Sequence, residues 1–244
     1  MADNFELILN PVSQLSEYYS KKPVLQALAK LLPYGSSLDT LLNTRAKEIA
    51  TDRAKVFFDE INERDLELTP EIIESEDFIH RYVITAKAAI NTHRREKIRL
   101  FARMLKASFS HGTVQNSDEY EEYLRLFDEM SYREFLVLTI LERYENKYPF
   151  NGSIPPNTDY RDEQEYKDLK RAEQFWNEFL SEVCQSLNIT LDETRELLNR
   201  LTKSGCYQKL VVHYTFTNIH EEGKLTESYF RIKNLVDEPS EDTD

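Results

Sequence analysis

Residues 188–216 contain the feature that most constrains the fold, because a capped helix ends there and a strand begins. Thr190 and Glu193 have the spacing of a capping box, in which a hydroxyl and a carboxylate satisfy early backbone N–H groups. Apolar residues at helical spacing predict a helix over 191–203. Gly205 then supplies the left-handed conformation that commonly ends a helix. The β-branched and aromatic residues that follow predict a strand.

The pattern of helices followed by a hairpin extends over the second half of the chain. Ser131 and Glu134 form another capping box, which opens a predicted helix. The apolar side of residues 162–187 predicts a further long helix. After the capped 191–203 helix, two strands are predicted over 206–217 and 224–235, joined by a turn.

Residues 131–236 therefore resemble a winged-helix domain, with L-D-E-T-R-E-L-L-N-R-L-T-K-S-G as the third helix and 206–235 as the wing. The 162–187 helix departs from the family, whose second helix is usually short. The resemblance implies that the third helix enters the DNA major groove and that the wing approaches phosphate. In this DNA-binding alternative, the residues that face phosphate are Arg195, Arg200, Lys203 and Lys209.

The charge of this half opposes nucleic-acid binding. Residues 117–244 hold 15 Lys/Arg and 28 Asp/Glu, whereas residues 1–116 hold 16 of each, so the second half carries the whole net charge of −13. Affinity for DNA depends on Lys and Arg that replace counterions at phosphates. The third helix instead begins with Asp192, Glu193 and Glu196. The sequence therefore favours a protein-contact or structural role for this region.

The first half is predicted to be a helical domain over residues 1–130. Apolar spacing predicts long helices over 38–64 and 75–109. Pro70 at a first helical position predicts a short helix over 70–74, and a further helix is predicted over 118–130. It loosely resembles uncharacterised bacterial helical proteins with an apolar segment, broken by Pro and Gly, before an E-K-I-R-L-F-A-R-M-L-like helix; the resemblance implies no activity. The predicted fold class is mainly α with a small β-hairpin: an N-terminal helical bundle and a C-terminal winged-helix-like domain.

The strongest basic stretch lies on the predicted 75–109 helix. Its cations share one helix face because they recur every four residues, with one lysine beside them: Arg95, Arg99, Arg103 and Lys106. One interpretation is a surface that binds phosphate or acidic groups. The favoured interpretation is a solvated or internally docked face, with the acidic run 118–122 as its counter-charge.

Residues 24–42 are predicted to form two apolar helical pieces, broken at Pro33 and Gly35. A hairpin of this kind would suit a membrane-active effector. Each piece is shorter than about ten residues, however, and Lys30 and Asp39 interrupt them, so packing in a core is favoured. No apolar run long enough to cross a membrane and no signal peptide is predicted.

No sequence motif for catalysis is present. Phosphate-binding glycine loops, H-E-x-x-H and G-x-S-x-G are all lacking, and five scattered glycines do not build a phosphate cradle. Asp77 and His80 make only half of a di-metal motif. Cys206, His213 and His220 stand at odd spacings on a predicted strand, which directs them to opposite faces.

The sequence as a whole predicts a cytoplasmic, non-enzymatic binding or regulatory module without cofactor or metal. The two cysteines suit a reducing compartment. The expected partner is another protein or a second copy of the chain, as a homo-oligomer. The alternatives are a DNA-binding transcriptional regulator and a membrane-active effector acting through residues 24–42. The acidic tail, 237–244, is predicted to be disordered.

Overall fold

The computed structural model describes residues 40–63, 72, 74–109, 116–154, 160–211 and 221–237. Over these residues the chain is mostly helical with a small two-stranded antiparallel sheet, which confirms the mainly α fold class. The helices of the first half are α1 (Thr40–Asn62), α2 (Glu76–Asn91), α3 (Arg95–Ala107) and α4 (Ser117–Glu129). The second half contains α5 (Tyr132–Lys147), α6 (Tyr160–Leu187), α7 (Leu191–Leu201), β1 (Tyr207–Val211), β2 (Glu221–Leu225) and α8 (Glu227–Val236).

The described residues fall into two compact units. The first unit contains the described residues up to Asp128 together with residues 234–237, and the second unit contains those from Glu129 to Lys233. Helix α8 therefore begins in the second unit and ends in the first. The domains predicted from the sequence, 1–130 and 131–236, stay predictions.

An aromatic core holds α1 to α4 together. Phe57 of α1 and Tyr82 of α2 are 0–1% exposed, and their ring centroids lie 6.4 Å apart. Phe101 of α3 meets Phe127 of α4 edge-on, with centroids 5.1 Å apart. Burial of each such side chain contributes roughly 1.5–3 kcal/mol to the free energy of unfolding. The helices of this unit therefore depend on one another's apolar faces.

The prediction of a single helix over 75–109 is wrong, because the chain leaves the helical conformation at residues 92–94. Ser75 caps α2, and its Oγ accepts a hydrogen bond from Phe78 N at 3.2 Å. Thr92 is extended (φ −81°, ψ 132°), and α3 starts only at Arg95. Two of the three residues at the break, Thr92 and His93, are weak helix formers. The break lets α3 pack against both α1 and α2.

Both predicted capping boxes in the second unit are confirmed. Ser131 N donates to Glu134 Oε2 at 2.8 Å, and Glu134 N donates to Ser131 Oγ at 3.2 Å. Thr190 and Glu193 make the same reciprocal pair at 2.8 and 3.2 Å. Gly205 has a φ of 73° and ends the short 3₁₀ turn that follows α7, as predicted. These local features explain where α5 and α7 begin and where the turn after α7 ends.

The predicted hairpin is only partly correct. Strands β1 and β2 pair antiparallel, with Tyr207 opposite Leu225. The segment 227–236, predicted as the rest of the second strand, is helix α8 instead. Its buried side chains recur every three or four residues, at Tyr229, Ile232, Leu235 and Val236. That spacing matches a helix face that is covered by other elements, whereas a strand would bury alternate residues.

Several predictions fall outside the described residues. These are the short helix over 70–74 except for residues 72 and 74, the apolar segment from 24 to 39, the strand continuation at 212–217 and the tail beyond 237. Among the described helices, none has the length and hydropathy to cross a membrane.

Candidate functional site

The basic face of α3 is turned toward carboxylates of α1. Arg95 binds Asp52, with 2.6 Å between the guanidinium nitrogen and Oδ2. Arg103 Nε lies 2.5 Å and Arg99 Nε 3.8 Å from the two carboxylate oxygens of Glu60. Glu60 is only 8% exposed, so the Arg103 pair is well shielded from solvent.

The counter-charge for this face was expected from residues 118–122, and that expectation is wrong. Asp52 and Glu60 supply it because the break at 92–94 lays α3 along α1. Lys106 is half-buried in the last turn of α3, where a cation complements the helix dipole. The internally docked interpretation of this face therefore has contacts that support it.

The four cations of the DNA-binding alternative do not form one cluster of unpaired charges. Arg195 lies 3.4 Å from Asp192 Oδ1, one turn away on α7. Arg200 Nε lies 3.1 Å from Glu134 Oε1 of α5. Lys203 is exposed in the 3₁₀ turn and Lys209 is half-buried on β1.

The first two turns of α7 expose carboxylates where a groove-reading helix would meet base edges. Asp192, Glu193 and Glu196 are all exposed. Hydrogen bonds from the backbone and side chain of Thr190 hold the pKa of Glu193 below its usual value, so this carboxyl stays ionised at neutral pH. The face is therefore repulsive toward phosphate.

Sequence analysis missed a buried charged cluster in the second unit. Glu145 of α5 and Asp168 of α6 are 5–7% exposed. Arg171 lies 3.2 Å from Glu145 Oε2, and Lys224 Nζ of β2 lies 2.5 Å from Asp168 Oδ2. Leu225 N donates to the other oxygen of Glu145 at 2.9 Å. The cluster therefore connects β2 to both helices that pack on it.

One signal for this cluster is visible in the sequence. Asp168 stands on the same stripe of α6 as the buried residues Ala172, Phe175 and Phe179. A carboxylate on an apolar stripe requires a buried partner. The identity of the partners is invisible in the sequence, because Lys224 is 56 positions from Asp168.

The two carboxylates of the cluster have their partners within the second unit. Burial raises the pKa of Glu145, while Arg171 and the N–H of Leu225 oppose that shift. Gln164 donates to Asp168 Oδ1 at 3.0 Å, so every carboxylate oxygen of the cluster has a protein donor. The four oxygens of these two carboxylates are therefore all hydrogen-bonded or ion-paired within the protein.

Glu222 of β2 differs from Glu145 and Asp168 because one of its buried oxygens has no hydrogen-bond partner. It is 7% exposed, and its Oε2 atom has no hydrogen-bond partner. Burial raises the pKa of Glu222 to about 7, with a further increase from the carboxylate of Glu173 and a partial offset from Lys170. Its buried carboxyl is therefore partly protonated near neutral pH.

Glu222→Gln is expected to flatten the pH dependence of stability. The folded pKa is raised above the unfolded value of about 4.5, so the folded state binds the extra proton and wild-type stability falls as pH rises from 5 to 8. Urea unfolding should give the variant a free energy of unfolding about 2 kcal/mol above wild type at pH 8 and close to it at pH 5. The exposed Glu196→Gln is the matched control and should match wild type at both values. If Glu222→Gln raised the free energy of unfolding equally at pH 5 and pH 8, titration of Glu222 would not be the cause.

Of the residues weighed for metal binding, Asp77, His80 and Cys206 lie in the described part of the chain, and His213 and His220 lie outside it. No group of three or more His, Cys, Asp or Glu in it is arranged to hold a metal ion. Asp77 Oδ1 accepts from Ser117 at 2.7 Å, and His80 Nε2 lies 2.5 Å from Glu121 Oε1. Both cysteines carry free thiols.

Comparison with known proteins adds no functional assignment. No protein-family model matches the chain, and no curated protein or solved structure shows significant similarity to it.

Proposed function

We propose that this chain is a non-enzymatic interaction or regulatory module that acts through contacts with protein. The observation that carries the proposal is the internal pairing of the cations a phosphate-binding surface would need. Arg95 and Arg103 bind carboxylates of α1, and Arg200 binds Glu134. A cation already paired with a carboxylate releases few counterions when phosphate arrives, so it contributes little to nucleic-acid affinity. Two free thiols support a reducing compartment such as the cytoplasm.

A second candidate function is DNA binding by a winged-helix-like domain. The order α5, α6, α7, β1, β2 favours it, because three helices followed by a hairpin is the order of that fold. The exposed carboxylates at the start of α7 oppose it. We therefore propose that the winged-helix-like region serves as a scaffold for protein contacts, and DNA binding is the alternative that the first experiment tests.

Wild-type protein is expected to leave the fluorescence anisotropy of a labelled mixed-sequence duplex unchanged at about 50 mM and about 200 mM salt. Binding that falls steeply with salt, and that Lys203→Glu weakens much more than Arg94→Glu, would overturn the proposal. Both substitutions change the net charge equally and both residues are exposed, so only the position of the charge differs.

A chain that acts through contacts with protein must form a stoichiometric complex, with itself or with another protein. Light scattering over a range of concentrations should give a defined oligomer, or affinity purification should return a protein in a fixed molar ratio. A monomer at every concentration, with no stoichiometric partner, would contradict the proposal whatever the DNA result.

A further inference from the structure

The connection that follows α5 contains an asparagine and a glycine in succession, Asn151 and Gly152. Both residues are exposed, and neither belongs to a helix or a strand. No other asparagine in the chain precedes a glycine. The pair therefore combines an exposed side-chain amide with a backbone nitrogen whose own residue has no Cβ atom to hinder approach.

The side chain of Asn151 and the backbone nitrogen of Gly152 can react to form a cyclic imide. The nitrogen gives up its proton to solvent and attacks Cγ of Asn151. A bond forms between this nitrogen and Cγ, the bond between Cγ and Nδ2 breaks, and the amide group takes up a proton and leaves as ammonia. Water then opens the imide at either of its carbonyls, which yields aspartate or isoaspartate at position 151. Water is the only other reactant, so the reaction requires neither an oxidant nor an enzyme.

The structure leaves both reacting groups free to move. Within the described residues, neither the side-chain amide of Asn151 nor the N–H of Gly152 takes part in a hydrogen bond. An exposed amide of this kind can rotate among the staggered conformations of its side chain. Glycine also gives the backbone at 152 the widest choice of φ and ψ, so the pair can reach the geometry that ring closure requires.

Other asparagines are restrained by the fold. Asn116 caps α4, and its Oδ1 accepts a hydrogen bond from Glu119 N at 2.8 Å. Asn188 is followed by the β-branched Ile189, whose N–H donates to Cys184 O at 3.0 Å. Asparagines inside helices precede a residue whose N–H is already bonded along the helix. In each case the amide or the neighbouring nitrogen is held in another contact.

The segment that carries the pair is anchored beside α6. Phe150 meets Tyr166 of α6 edge-on, with ring centroids 6.3 Å apart. Gly152 lines a surface groove of about 450 Å³ together with Tyr166 and Lys170. Water therefore reaches the reacting atoms while the segment stays attached to the second unit, so the reaction does not require unfolding.

We infer that Asn151 is a site of spontaneous deamidation in the folded protein, with Gly152 as the residue that makes it reactive. Each event adds a negative charge to the half of the chain that already carries the whole net charge. The isoaspartyl product also inserts the side-chain methylene of residue 151 into the main chain. The protein is thereby expected to accumulate more acidic forms with age.

Mass spectrometry of peptides from aged, folded wild-type protein tests this inference. Conversion at Asn151 should be at least about tenfold faster than at Asn116 or Asn188, because glycine hinders attack least. It should also become faster as the pH rises, because the attacking nitrogen must lose its proton. Unfolding in urea should change the rate at Asn151 by less than about threefold and should accelerate Asn116 and Asn188, whose hydrogen bonds are then lost.

Three variants identify the reacting groups. Gly152→Ala should slow the conversion at least about tenfold, because the added Cβ hinders attack by the nitrogen. That Cβ also lies 3.0 Å from two atoms of the Phe150 ring, so circular dichroism checks that the fold is retained. Asn151→Gln should abolish the acidic form seen by ion exchange. Ser153→Ala changes the next residue but keeps the pair, so it is the matched control and should react like wild type.

Three results would overturn the inference. Conversion at Asn151 that occurs in urea but not in the folded protein would mean that the fold protects the pair. Equal rates at Asn151 and Asn116 in the folded protein would mean that the connection after α5 confers no special reactivity. A Gly152→Ala variant that retains its fold and reacts as fast as wild type would remove the role of the glycine.

Discussion

Arg171→Met is expected to lower the free energy of unfolding by about 3 kcal/mol. The guanidinium of Arg171 lies 3.2 Å from Glu145 and 3.5 Å from Asp168, and both carboxylate side chains are only 6% exposed. Methionine replaces much of the arginine volume but leaves two buried carboxylates with Lys224 as their remaining cation. Urea unfolding at pH 7, followed by circular dichroism, measures the loss.

The loss should be smaller at low pH. Burial already raises the pKa of Glu145, and removal of Arg171 removes the largest influence that opposes this shift. Protonation then relieves the uncompensated charge, so the difference between Arg171→Met and wild type should narrow between pH 7 and pH 5. A loss that is the same at both pH values would mean that packing, and not charge, is responsible.

Two further variants isolate the charge. Arg195→Met removes an exposed arginine from a pair with Asp192 and should cost less than about 1 kcal/mol. Adding Glu145→Gln to Arg171→Met should recover part of the stability, because glutamine still accepts from Leu225 N but carries no charge. Failure of this second substitution to recover stability would shift the explanation to Asp168.

Gly223→Ala is expected to lower the free energy of unfolding by about 2 kcal/mol. A Cβ atom at this position of β2 would overlap the Oη, Cε2 and Cζ atoms of Tyr207 on the paired strand. Tyr207 is 3% exposed, so its ring has no free space to move into without disturbing its neighbours. Thermal or urea unfolding measures the cost.

Two comparisons test that cause. The cost of Gly223→Ala should nearly vanish in a Tyr207→Leu background, because the shorter side chain does not reach position 223. Gly205→Ala meets no atom within 4 Å, but its φ of 73° is unfavourable for alanine and should cost about 1 kcal/mol. If Gly223→Ala costs the same in the Tyr207→Leu background as in wild type, the overlap with the ring is not its cause.

Features set by neighbouring residues were predictable from the sequence. The capping boxes at Ser131 and Thr190 require only a hydroxyl and a glutamate three positions apart, and both form. Gly205 takes the left-handed conformation for the same local reason. Apolar spacing also predicted α1, α4, α5 and α6 to within a few residues. Each of these features depends on residues within a few helical turns of one another, so it can be recognised from neighbouring positions in the sequence.

Predictions from apolar spacing were wrong where two different local structures have the same spacing of apolar residues. Two helices that bury one common face have nearly the spacing of one long helix, so the break at 92–94 went unpredicted. The segment 227–236 is rich in β-branched and aromatic residues, and short runs of this kind are compatible with strand or helix. In the structure this segment is helix α8, and Tyr229 and Ile232 are buried on one face of it.

The sequence by itself determined where α5 and α7 begin, the glycine that ends the turn after α7, the mainly α class and the acidic second half. Only the tertiary structure decided which charges meet. Arg95 binds Asp52 across 43 positions, Lys224 binds Asp168 across 56, and Glu145 accepts a hydrogen bond from Leu225 N across 80. The physical reason is range: capping and helical spacing act over one or a few turns, whereas the partners of a charge are chosen by how distant helices pack.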